Sequence, residues 1–182
     1  MALSTWNIDA THSTLAFSAR HLVITKVHGK FTRFSGAVTL DADDLAKSTV
    51  SLSVDVGSID TSEPKRDEHL RSEDFFDAAT HPTLTFESKR IEKTGGETYK
   101  VIGDLTIRGT KKEVSLEVDY EGKGKDPWGG ERVAFSGKTS LNRFDYGLHW
   151  KQALETGGLL VGEKIEITID IQAVKAAAEK AA

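Results

Sequence analysis

The stretch EKIEITIDIQA, Glu163–Ala173, alternates without a break, with Ile165, Ile167, Ile169 and Ile171 on one side and Glu166, Thr168 and Asp170 on the other. A period of two is the spacing of a β-strand, whose successive side chains point to opposite faces. One apolar and one polar face means that the strand covers a core and meets water. That is the habit of antiparallel sheets, because parallel strands covered on both faces read as continuous apolar runs.

The same alternation recurs outward from this stretch. Val133, Phe135, Gly137, Thr139 and Leu141 share a face, as do Val114, Leu116, Val118 and Tyr120, and Tyr99, Val101, Gly103, Leu105 and Ile107. Leu84 and Phe86 precede a turn at Gly95-Gly96. Further upstream come Val50, Leu52, Val54 and Val56, then Phe34, Gly36, Val38 and Leu40, then Leu15, Phe17 and Ala19. About eight short-looped strands suit a sandwich or a barrel, and closure removes exposed edges. The segments around Val27–Leu40 and Arg132–Leu141 are long, which suits tilted barrel strands. The expectation is an all-β chain, an eight-stranded antiparallel barrel over residues 3–174. The tail, residues 175–182, has high helix propensity without an apolar face and is expected to be helical or disordered. Gly36, Gly103 and Gly137 fall on apolar faces. Either they mark bends at barrel corners, or they leave an interior short of side-chain volume, enough for one small ligand.

One segment breaks the pattern: TSEPKRDEHLRSEDFFDAATHP, Thr61–Pro82. Thr61 or Ser62 can cap a helix that tolerates Pro64 in its first turn, and Asp67 and Arg71 stand at i,i+4. Ser72 resembles a second cap, with Glu73 and Asp74 suiting the positive end of a helix. The reading is a short helical segment over about residues 62–77 that closes one end of the barrel. Phe75 and Phe76, about 100° apart on a helix, then either plug a cavity or seal an ordinary core.

The 182 residues carry a net charge of -4 with both signs interspersed, which is no footprint for nucleic acid or an anionic membrane. The absence of cysteine excludes disulfides, thiol nucleophiles and thiolate metal sites. No apolar run approaches the roughly 20 residues of a membrane-spanning helix. The opening MALSTWNID has neither the basic region nor the apolar core of a secretory signal, so a cytoplasmic address is expected. His12, His21, His28, His69, His81 and His149 lack a metal-ligand spacing such as HExxH. No metal, cofactor or catalytic residue is expected.

DATHSTLAFSARHL, VHGKFTRFSGAV, RDEHLRSEDFFDA followed by His81-Pro82, VIGDLTIRGTKKEVSLEV and NRFDYGLHW together resemble the YceI-like family, in the family's order and from about Trp6 to Val174. The resemblance implies a lipocalin-like barrel with an apolar channel that binds polyisoprenoids or related long-chain amphiphiles, without enzymatic chemistry. The ligand would be a polyprenyl phosphate or diphosphate or an isoprenoid quinone. Relatives are often exported and often pair, so a homodimer is expected. Implied channel residues are Leu15, Phe17, Phe31, Phe34 and Val38, then Leu52, Val54, Leu70, Phe75 and Phe76, then Leu84, Phe86, Val101 and Leu105, and last Phe135, Ile167 and Ile169. His21, Arg66, His69 and Arg143 are the candidates for a polar rim. Two alternatives remain: a filled-core structural or partner-binding module, and a lipid-modifying enzyme.

Overall fold

A computed structural model describes residues 3–177. The strands are β1 (Leu3–Ile8), β2 (Thr14–His21), β3 (Thr25–Phe31), β4 (Phe34–Asp41), β5 (Thr49–Asp55), β6 (Ile59–Asp60), β7 (Thr83–Lys93), β8 (Thr98–Ile107), β9 (Thr110–Lys125), β10 (Glu131–Asn142) and β11 (Val161–Lys175). Among the described residues one α-helix, α1 (Pro64–Arg71), lies between β6 and β7.

These segments make an eight-stranded antiparallel barrel, because three of its strands are broken. β1 and β2 lie end to end along β11, with Ile8 opposite Ala173 and Leu15 opposite Ile169. β4 and β3 line up in the same way along β1 and β2, and β5 and β6 along β4 and β3. From β7 onward each strand pairs with the next, and β11 closes on the first. The three breaks fall side by side and form a corner. There the Asp9 carboxylate accepts from Thr11 N–H at 3.0 Å. The Ser58 hydroxyl takes Arg33 N–H at 3.0 Å and Thr32 N–H at 3.2 Å, so donors freed by the bend stay satisfied. The corner strands β1 and β3 are short, with mixed faces, and the alternation did not reveal their separate existence.

The inward glycines mark close approach. A Cβ on Gly103 would lie 2.4 Å from the Glu87 carbonyl oxygen and 2.6 Å from the Phe86 ring, beside a register shift between Ser88 and Arg90. On Gly36 it would lie 2.3 Å from the Ser51 carbonyl oxygen. At both positions neighbouring atoms already fill the space that a side chain would take, and Gly103 also sits at an irregularity of the ladder.

The helical segment is shorter than expected. Glu63, rather than Thr61 or Ser62, caps α1 by accepting from Lys65 N–H at 3.2 Å, and Pro64 takes the first helical position. The helix ends at Arg71, where the Ser72 hydroxyl donates to His69 O at 2.6 Å. The chain then folds back in turns, with Phe76 N–H on Leu70 O at 3.0 Å and Ala78 N–H on Arg71 O at 2.9 Å. The expected Asp67–Arg71 pair is replaced by other partners. Buried Asp67 accepts from the backbone and hydroxyl of Thr61, and Arg71 donates to Gly57 O and Ile59 O. At the carboxyl end β11 runs through Lys175, so the expected tail begins later, and residues 178–182 lie outside the described residues.

Candidate functional site

The inner faces of the strands enclose an apolar cavity of about 250 Å³. Its walls are aliphatic and aromatic side chains, and among the described residues only Ser48, Thr139 and Tyr99 bring polar side-chain atoms. The Ser48 hydroxyl is committed to Asp41 N–H at 3.0 Å, and Thr139 donates to Ser115 O at 2.7 Å. Ile165, Ile167 and Ile169 point inward from β11 yet are only half-buried, because they face the cavity rather than packed side chains.

Of the channel candidates, Leu15, Phe17, Phe31, Val38, Leu52 and Val54 line this cavity, as do Leu84, Phe86, Val101, Leu105, Phe135, Ile167 and Ile169. Phe34, Leu70, Phe75 and Phe76 do not; they pack in the core around it. Ile107, Leu116, Leu141 and Ile165 also line it, and each shares a strand face already visible in the alternation. Ile8 and Leu45 line it as well. Ile8 ends a strand without a clean pattern and Leu45 sits in a single turn of 3₁₀ helix, so periodicity could not find them.

At the helix end the aromatics form two groups. Phe17 and Phe31 are 5.6 Å apart, and Phe76 meets Phe31 edge to face at 5.9 Å, standing directly behind the cavity wall. Phe75 is fully buried and packs on Trp150 at 5.4 Å and on the edge of His69 at 5.1 Å.

None of the polar candidates lines the cavity, although Arg143 and His69 meet at Phe75, with the guanidinium 5.8 Å and the imidazole 5.1 Å from its ring centroid. Arg143, expected on a rim, is only 3% exposed. Its guanidinium donates to the carbonyls of Gly162, Leu148, Trp150 and Val161 at 2.9, 2.7, 2.6 and 3.1 Å, and lies 4.7 Å from the Phe144 ring centroid. Burial pushes its pKa down from the ordinary arginine value, opposed by the charge of Glu163. Arg143 therefore ties the β10–β11 connection together. Arg66 is exposed and bonded through Nε and Nη2 to the hydroxyl and carbonyl of Thr61, each at 2.7 Å. The His69 ring is half-buried, with Nε2 2.8 Å from Asp74 Oδ2. His21 is half-buried at the end of β2. Buried Tyr146 has its phenol pushed up to about 12 by desolvation, with Asp145 adding to the shift. It too lies off the cavity wall.

Comparison with known proteins places this geometry. A YceI-like domain profile matches residues 6–173. A UPF0312 protein of Staphylococcus epidermidis is 35% identical over 165 residues, covering 90% of this chain and 94% of its own. One from Vibrio cholerae is 37% identical over 137 residues, covering 75% of this chain and 72% of its own. Burkholderia cenocepacia BcnA superposes with a TM-score of 0.80 at 25% identity, over 91% of this chain and 98% of its own. A Campylobacter jejuni YceI protein does so with 0.75 at 29%, over 87% and 90%. A polyisoprenoid binding domain from Saccharophagus degradans shares the fold at 16% identity, with a TM-score of 0.70 over 96% and 100%. A barrel closed on an apolar cavity, carrying these matches along nearly its whole length, belongs to the YceI-like family.

Proposed function

We propose that this protein binds and shields the tail of a long-chain isoprenoid lipid and performs no chemistry on it. The apolar cavity carries this reading: its wall offers neither a charged group nor an acid–base pair. Burying hydrocarbon contributes about 0.8 kcal/mol per CH₂, so each enclosed five-carbon unit is worth roughly 3–4 kcal/mol. A few units offset an association cost of about 4–15 kcal/mol. A diphosphate inside the same wall would lose its hydration without finding a donor, at a cost of several kcal/mol. The head group therefore stays outside. At the helix end half-buried His21 and the Nη1 of exposed Arg66, whose Nε and Nη2 are held by Thr61, are the groups available to meet a phosphate or quinone oxygen, whereas all three nitrogens of Arg143 are engaged by carbonyls.

Mass spectrometry of an organic extract of gently purified protein tests this, alongside native mass spectrometry of the same sample. A stoichiometric polyprenyl phosphate or isoprenoid quinone is expected. Protein that arrives without lipid and then takes up no polyprenyl phosphate in titration would overturn the carrier reading and leave the partner-binding module.

A further inference from the structure

The β2–β3 hairpin has a feature that enclosing a lipid tail does not use. Its three-residue tip, Leu22-Val23-Ile24, leaves large apolar side chains in water, with Ile24 75% exposed, Val23 53% and Leu22 43%. The tip is braced. Leu22 N–H donates to Leu160 O at 2.9 Å, and Val23 lies so close to Gly158 that a Cβ there would approach it to 2.7 Å. Leu22 and Val23 both have left-handed backbone, with φ of +54° and +69°. That conformation suits Gly or Asn, and for a β-branched residue it is an outlier. An Asn-Gly turn would serve the hairpin better. These residues leave much of their apolar surface in water and do not suit their own turn, which points to a contact outside the chain.

The charge around the tip indicates what that contact is. The chain as a whole, at net charge -4, has no footprint for an anionic membrane, but the interspersion of signs fails locally: residues 10–40 contain Arg20, Lys26, Lys30 and Arg33 and no Asp or Glu. Arg20 and Lys26 flank the tip, and both are exposed. From the adjoining β11, Glu166 pairs with Lys26 at 3.1 Å, and Glu163 and Lys164 are exposed beside it. Arg33 is paired with Asp55 further along the wall. The tip lies at the helix end of the barrel, where Phe76 stands behind the cavity wall. No helix among the described residues is long and apolar enough to cross a membrane.

We propose that Leu22, Val23 and Ile24 form a membrane-docking wedge. The wedge enters the headgroup–acyl boundary of an anionic bilayer while Arg20 and Lys26 meet lipid phosphates. Docking sets the helix end of the barrel against the phase from which an isoprenoid is drawn. In that purpose the inference rests on the carrier reading, but vesicle binding itself requires no cargo. The test is co-sedimentation of the full chain with phosphatidylethanolamine vesicles containing phosphatidylglycerol, and with phosphatidylcholine vesicles as the neutral comparison. Wild type is expected to partition onto the anionic vesicles and to release with salt. The double substitution Leu22→Asn/Val23→Gly should keep or raise the melting temperature yet weaken binding by roughly ten-fold or more. Ile24→Asp, at a position with ordinary backbone, should do the same. Trp128→Ala, which removes a side chain 86% exposed in the β9–β10 turn at the opposite end, should change nothing.

Failure of the wild type to bind anionic vesicles would overturn the proposal, as would tip variants that bind as well as wild type. So would tip variants that instead dissociate a dimer in light scattering, since the tip would then pack on a second copy. Polyprenyl phosphate titration in detergent-free buffer, run on the same variants, reports separately on the carrier reading.

Discussion

Arg143 is a charged side chain buried without a carboxylate bonded to it, and four carbonyl oxygens take its place, those of Leu148 and Trp150 in the β10–β11 connection and those of Val161 and Gly162 at the start of β11. Removing the guanidinium leaves those buried and part-buried acceptors without their donor, and each unsatisfied group costs about 1–3 kcal/mol. Arg143→Met should therefore destabilise the protein by about 3–5 kcal/mol in urea unfolding. Arg143→Lys should fall between, because one ammonium cannot span the same oxygens. A loss below about 1 kcal/mol would mean that the connection holds itself without the arginine.

Asp9 offers a pH test at the same scale. Hydrogen bonds from the Thr11 hydroxyl, Arg132 and His12 hold its carboxyl well below the usual carboxylate range. A depressed carboxylate stabilises fully above its unfolded value of 3.8, and that contribution is lost as pH falls through the lower folded value. Asp9→Asn should lower the melting temperature by about 2–4 °C at neutral pH, corresponding to about 1 kcal/mol. Melting curves across pH should show the gap to wild type unchanged down to mildly acidic pH and closing only in strong acid.

At the scale of elements, α1 and the turns after it divide the labour between the two phenylalanines. Because the helix stops at Arg71, Phe75 drops into the core while Phe76 reaches the cavity wall at Phe31. Phe76→Ala should cost about 1–2 kcal/mol, against roughly 3–5 for Phe75→Ala. It should release a bound polyprenyl phosphate several-fold faster, as read by lipid transfer to acceptor vesicles. Unchanged release would make Phe76 plain core. The stop itself could not be placed from sequence. Ser72 was legible as a cap, but a serine that donates to the preceding carbonyl ends one helix, whereas a serine that accepts from the following amides begins another. The same blindness applies to Arg143: an arginine beside an aromatic-glycine element looks alike whether it faces solvent or carbonyls. β7 to β11 were legible because each carries one clean apolar face. β1 and β3 were not, since their corner is held by the side chains of Asp9 and Ser58 bonding to backbone, which leaves no period behind.

For the whole molecule, the barrel is a closed wall whose inward side chains do not fill it, and the glycines on that wall sit where neighbouring atoms leave no room for a Cβ, so they do not account for the space. Whether the cavity existed could not be settled from alternation, because a filled and an enclosing barrel share one pattern of faces. The difference lies in how far the side chains reach across. If the wall acts by enclosing hydrocarbon, affinity must follow tail length. The direct measurement is native mass spectrometry with polyprenyl phosphates of increasing length and with the matching alcohols. Affinity should rise by at least roughly ten-fold per added five-carbon unit until the cavity is filled, then level off, and exchanging phosphate for alcohol should matter less than one such unit. Affinity that ignores tail length and follows the head group would contradict the account.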